Sequence, residues 1–121
     1  MVNKNRDLTR LSVRQLRIRR RRLAADLPDV EALLRGTLVD QHRRCGKEGC
    51  RCTQGQLHGP YTYLATSRAV DRTRGRSRLL YVPAALAELV RRRVDQTAQV
   101  EAVLAQIAAI NAELLARREL D

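Results

Sequence analysis

Apolar positions fall into distinct regimes along the chain. Between Leu8 and Ala25, the residues Leu8, Leu11, Gln15 or Leu16, and Leu23 trace a thin stripe at helical spacing, and most of what separates them is arginine. This predicts a helix over 8–25 whose apolar face is too narrow to hold without a partner, so that the segment orders on binding. Residues 1–7 are polar and predict no element. A short second helix is expected at Pro28–Arg35. Pro28 suits a first turn, Asp29 and Glu31 complement the helix dipole, and Gly36 ends it, with Val30, Leu33 and Leu34 turned to a core.

The period then changes. Thr37-Leu38-Val39 reads as a short strand. Tyr61–Val70, rich in Tyr, Thr and Val, reads as a longer one, Asp71–Ser77 with Gly75 as a turn, and Arg78–Val82 as the returning strand of a β-hairpin. From Pro83 to about Arg118 the pattern is helical, with no internal Gly or Pro. Steps of four and three residues pick out Leu86, Val90, Arg93, Thr97, Val100, Leu104, Ile107, Asn111 and Leu114, a coiled-coil seam on which Asn111 would set register. Such a helix spans about 54 Å, longer than a small globule needs, so a homodimer through residues 84–118 is expected. The other arrangement is a helix that folds back on its own chain.

Composition sharpens this outline. The chain has no Phe and no Trp, and only three Tyr, so Leu, Val, Ile and Ala must fill the core. That favours helix packing and calls for reinforcement by metal or by oligomerisation. The formal net charge is +11, which points to a polyanionic partner. Nearly all the basic residues are Arg, a choice that GC-rich coding explains, but coding bias does not explain the excess of basic over acidic residues. No stretch looks close to the roughly 20 apolar residues that span a membrane, and the polar start of the chain has no apolar core of a signal peptide; the expectation is a cytoplasmic protein with no membrane role.

The chemistry is concentrated in CGKEGCRCTQGQLHGP, residues 45–60. Cys45-x4-Cys50-x-Cys52-x5-His58 supplies three thiols and an imidazole on one loop, and this set suits a closed tetrahedral zinc site. All three cysteines fall in this loop, an odd number for disulfides. Arg43, Arg44, Lys47 and Arg51 would favour thiolate over thiol. His42 competes with His58 as fourth ligand; His58 is preferred because it follows the cysteines and precedes Gly59-Pro60. The readings set against zinc are buried reduced cysteines and a thiol switch at Cys50 and Cys52. A complete ligand set with Glu48 as the only carboxylate in the loop argues against catalysis, and no other nucleophile or paired-carboxylate arrangement is apparent, so no enzyme is expected.

CGKEGCRC, then GQLHGPYTYL, a basic hairpin ending in YVP and a long C-terminal helix together resemble an uncharacterised family of small bacterial zinc-motif proteins. That family carries a CGK-x-x-CRC…HGPY signature and is seen in phage- and transposon-related settings. The resemblance covers roughly residues 36–115 and leaves the Arg-rich segment outside. It implies metal ligands at Cys45, Cys50, Cys52 and His58, and no particular activity.

The expected fold class is therefore α+β: a small zinc-bound loop with a β-hairpin, flanked by an N-terminal Arg-rich helix and a long C-terminal helix. Residues 1–27 form the arm, 28–82 the zinc loop and hairpin, and 83–121 the self-association helix. The expected function is nucleic-acid binding, with DNA favoured over RNA. Arg14, Arg17, Arg19, Arg20, Arg21 and Arg22 of the arm, Arg43 and Arg44 beside the loop, and Arg68, Arg72, Arg74, Arg76 and Arg78 of the hairpin would contact it. Base stacking looks weakly supplied, because Tyr61, Tyr63 and Tyr81 are the only aromatics and strand tyrosines are commonly core. The alternatives are an RNA-binding protein, or an adaptor that docks on a protein partner through the C-terminal helix.

Overall fold

A computed structural model of the chain describes residues 7–67 and 77–121. Helix α1 (Val13–Ala25) is followed by a 3-10 turn at Val30–Ala32 and strand β1 (Thr37–Arg43). A second 3-10 turn, Arg51–Gln54, leads to β2 (His58–Ser67) and β3 (Ser77–Tyr81), and a third, Ala84–Leu86, to the long helix α2 (Ala87–Ala116). The three strands form one antiparallel sheet in the order β1-β2-β3. The class is α+β, as expected. The chain divides into two compact units, one holding the described residues up to Ala32 together with Gln96–Asp121, the other Leu33–Asp95.

In the first unit, α1 begins at Val13 because Ser12 captures its N-terminus. The Gln15 N–H donates to Ser12 Oγ (3.1 Å), and the Ser12 N–H donates to Gln15 Oε1 (2.9 Å), a reciprocal capping box. Gln15 is thereby removed from the apolar stripe and Leu16 takes the core position. Leu8, Leu16, Ile110 and Leu114 form the buried cluster, with Leu11, Val13, Leu23 and Ala109 packed around it. The narrow stripe thus finds its partner within the chain, on the last turns of α2. That corrects the expectation of a segment awaiting an external partner.

Polar side chains complete this unit. The Arg117 guanidinium donates to the carbonyls of Leu11 (2.6 Å), Leu8 (3.0 Å) and Thr9 (3.2 Å) and bonds Glu113 at 2.8 Å. It holds down the turn that precedes α1, in which the Leu8 carbonyl also accepts the Leu11 N–H (3.2 Å). Two arginines of α1 are also engaged. Arg20 donates to Asn111 Oδ1 (2.8 Å) and makes a two-point contact with the Asp121 carboxylate (2.9 and 3.0 Å), while Arg17 donates to the Glu119 carbonyl at 3.0 Å. Asn111 therefore has a partner inside the chain. The Arg20 hydrogen bond holds the Asp121 carboxyl down at about 2.

Of the expected seam, Thr97, Val100 and Leu114 are buried and Ile110 joins them, while Leu104 stays 51% exposed. One correction concerns α2. The stretch Ala84–Ala116 reaches a mean hydropathy of 1.2 over an 18-residue window, so by length and composition alone one helix among the described residues is apolar enough to cross a membrane. Alanine carries it there. The same stretch places Asn111 and Glu113 in bonds to Arg20 and Arg117 and Ile110 in the leucine cluster.

The second unit holds the sheet. Pro28–Arg35, which leads out of the first unit into the second, does not form the expected helix. The Glu31 N–H turns onto Asp29 Oδ1 (3.0 Å), only Val30–Ala32 close as a 3-10 turn, and Val30 is 60% exposed. Eight residues are too few to repay helix nucleation without a buried face. β1 is longer than expected, and its pairing with β2 was not foreseen. Gly36 allows the approach: at φ 155°, a Cβ there would lie 2.7 Å from Leu64 Cδ1 and 2.8 Å from the Ala65 carbonyl. Leu38, Leu64 and Leu80 oppose one another across the three strands, and Val39, Tyr63 and Tyr81 do so on the other face. Leu64 is the most deeply buried of these, at 2% exposure.

The packing sets an expectation for stability. Leu16→Ala should cost about 2–5 kcal/mol in urea denaturation, since its side chain is wholly enclosed, whereas Leu104→Ala should stay within about 0.5 kcal/mol. Asp121 has a folded-state pKa below its ordinary 3.8, so its contribution is complete above that value and lost as pH falls towards about 2. Thermal melts from pH 5 to pH 2 should show this loss, and Asp121→Asn should flatten it.

Candidate metal centre

The link between β1 and β2 is a loop folded on itself. β2 carries a bulge opposite His42, where three steps from Tyr61 to His58 match two from Gln41 to Arg43, after which Arg43 pairs with His58. The chain leaves the sheet through Cys45 and turns at Cys50, whose carbonyl accepts the Thr53 N–H (3.1 Å) and the Thr53 hydroxyl (2.6 Å). The 3-10 turn Arg51–Gln54 carries Cys52 inward and ends on Gly55, whose φ of 97° only glycine adopts cheaply. His58 then opens β2. Gly59, at φ 121°, allows the two strands to meet: a Cβ there would stand 2.7 Å from the Gln41 carbonyl.

This path brings together Cys45, Cys50, Cys52 and His58. Their ligand atoms all lie within 4.8 Å of one another, so the four residues are positioned to hold a metal ion. Cys45 Sγ is 3.5 Å from Cys52 Sγ, and Cys50 Sγ is 3.2 Å from His58 Nε2. The Cys45 N–H donates to Cys52 Sγ at 3.4 Å. Cys52 is fully buried, and the other three are partly shielded. His42 is exposed and outside the group, so the geometry selects His58.

Crowding separates the thiols electrostatically. The Cys52 N–H, followed by the thiols of Cys45 and Cys52, draws the Cys50 thiol down to about 6. At Cys45 the Lys47 N–H lowers the pKa, but the thiols of Cys50 and Cys52 outweigh it and the net shift is upward. A cation at the centre relieves this competition, because it stabilises every thiolate at once.

Beside the ligands opens a depression of about 420 Å³, lined by Arg43, Arg44, Lys47 and Tyr61 together with Cys45, Cys50 and His58. The Arg43 guanidinium stacks 4.9 Å above the centre of the Tyr63 ring, and Tyr63 meets Tyr81 edge-on at 5.8 Å. Tyr61 is 38% and Tyr81 59% exposed, which corrects the reading of strand tyrosines as core. Thr53 and Lys47 were not singled out as loop-shaping groups, although the Thr that follows CRC was a visible signal.

The arginines fare unequally. Arg17 and Arg20 are tied to the chain's own C-terminal residues, while Arg14, Arg19, Arg21, Arg22, Arg43, Arg44 and Arg78 are exposed. Arg78 lies on the leucine face of the sheet, opposite Thr66. Arg68, Arg72, Arg74 and Arg76 lie outside the described residues.

Gly59→Ala should lower stability by about 1–3 kcal/mol, since the new Cβ meets backbone at a left-handed φ. Thermal melts paired with metal content on the same preparation would check this; both should fall together.

Among proteins of known family, residues 13–92 match the model described as Domain of unknown function (DUF6788), and the chain belongs to that family. The matched stretch takes in the Arg-rich helix, which the resemblance read from the sequence left outside, and stops at Arg92, short of most of α2. No curated protein and no solved structure matches the chain.

Proposed function

We propose that this DUF6788 chain is a zinc-stabilised, basic nucleic-acid-binding protein. The observation that carries the reading is the convergence of three cysteines and one histidine within 4.8 Å, in a loop whose flanks hold Arg43, Arg44 and Lys47. Two thiolates about 2.3 Å from a tetrahedral zinc stand roughly 3.8 Å apart, close to the 3.5 Å between Cys45 and Cys52. Cys45, Cys50, Cys52 and His58 would hold the ion, which supplies structural cross-linking. With four protein ligands there is no open position for substrate, and the reading is not enzymatic.

Phosphate contact falls to exposed guanidinium groups: Arg14, Arg19, Arg21 and Arg22 on α1, and Arg43 and Arg44 near the metal loop. With a net charge of +11, such contacts act mainly through counterion release, with DNA the favoured partner. A setting in phage or transposon biology agrees with a small DNA-binding protein, and a homodimer through α2 would double the basic surface.

Native mass spectrometry of the purified protein should find one zinc per chain, lost in Cys52→Ser. Binding to a labelled DNA should fall with salt on a log–log slope steeper than about −3, as four or more phosphate contacts require. Zinc-free protein with unchanged stability, or an affinity indifferent to salt, would sink the proposal.

A further inference from the structure

The three tyrosines are separated in sequence but collected on one face of the sheet. Tyr63 and Tyr81 are paired across β2 and β3, and Tyr61 lies two residues along β2, so all three share the face opposite Leu38, Leu64 and Leu80. Leu79 shares it too and is 46% exposed, beside Tyr61 at 38% and Tyr81 at 59%. A chain with three aromatic residues in all has left two of them open to solvent instead of using them as core.

The charge around this face has one sign. Arg43 stacks on Tyr63, and Arg44 and Lys47 line the depression that Tyr61 borders. No carboxylate lines that depression, and the one acidic residue of β1, Asp40, is paired with Thr62 on the other face, where it accepts the Thr62 hydroxyl at 2.8 Å. Aromatic rings beside a cationic track fit a polymer of flat π-systems joined by anions.

We infer that the tyrosine face of the sheet is a stacking platform for an unpaired polynucleotide strand, with bases on Tyr61 and Tyr81 and phosphates along Arg43, Arg44 and Lys47. Spacing explains the choice of unpaired over duplex. Tyr61 and Tyr81 are diagonal neighbours on adjoining strands, about 7–8 Å apart, roughly twice the 3.4 Å rise of stacked bases on one strand. Bases can occupy neighbouring tyrosine positions only after they part from each other, which a duplex resists. Stacking also tolerates any base, so little sequence preference is expected.

This inference rests on the nucleic-acid-binding reading and refines its substrate. The test uses full-length, zinc-loaded protein with oligo-dT, oligo-U and a duplex of matched length, at fixed salt, read by fluorescence anisotropy. Wild type should prefer the single strands to the duplex; oligo-dT and oligo-U together tell whether the sugar matters, and preference for either supports the platform. Tyr81→Ala and Tyr61→Ala should each weaken single-strand binding by about 5- to 150-fold, the loss of one stacked base, while Tyr81→Phe should retain it. Lys47→Ala should reduce the salt slope by about one, and Tyr81→Ala should leave that slope unchanged. The chain has no Trp, so tyrosine emission can be followed directly, and it should be quenched on binding in wild type.

The outcomes separate the two proposals. If wild type binds no nucleic acid, the functional reading itself fails. If it binds duplex in preference and Tyr61→Ala and Tyr81→Ala bind as wild type does, nucleic-acid binding stands and the platform is overturned. If Tyr81→Ala changes the oligomeric state and not strand affinity, the face belongs to a second copy of the chain, and the platform is likewise overturned.

Discussion

Among the described residues, Leu16, Ile110, Leu114 and Cys52 are the largest side chains fully withdrawn from solvent, and the small apolar area they represent is the constraint around which the rest of the structure is arranged. Without Phe or Trp, neither compact unit can rely on bulk burial alone. Each adds a polar device. In the helical unit, Arg117 gathers three backbone carbonyls and Glu113. In the sheet unit, four metal-ligating side chains converge at the mouth of β1 and β2. Both devices bring together stretches of backbone that are apart in sequence, and both do it where a hydrophobic cluster of this composition is thin.

Arginine consequently carries two duties on one short helix. Arg17 and Arg20 bind the chain's own carboxylates, while their neighbours Arg14, Arg19, Arg21 and Arg22 point to solvent. A run that reads as a uniform cationic patch is thus partly an internal fastening. The charge left for a partner is smaller than the composition suggests, and more of it belongs to particular positions.

The metal loop was the most legible part of the chain. Ligand chemistry depends on residue type and short spacing, and a single loop can satisfy it without knowledge of the fold. The hairpin of β2 and β3 and the long helix were legible for the same reason, since each follows a local period. What the sequence concealed was pairing at a distance. The join of β1 to β2 turns on Gly36 and Gly59, whose meaning appears only when the opposing backbone is in place. Periodicity puts Leu104 on the seam and leaves Ile110 off it, and the packing of Leu8 and Leu16 decides the reverse. Pro28–Arg35 carries every helix signal except length, and length decided it. Tyr61, Tyr63 and Tyr81 were each visible, but their common face follows from strand register, which no local pattern encodes.

His58 has a double place, as the fourth member of the cluster and as the first residue of β2. The cluster therefore anchors the start of the central strand. Beyond the bulge, Leu64 falls on the inner side and Tyr61 and Tyr63 on the outer. An added or deleted residue between Cys52 and His58 alters only the exposed part of the loop. The same change within the regularly paired stretch from Tyr61 to Leu64 would turn Leu64 to the outer face. Length variation among homologous chains should accordingly be permitted before His58 and forbidden from Tyr61 to Leu64, where the ladder is regular.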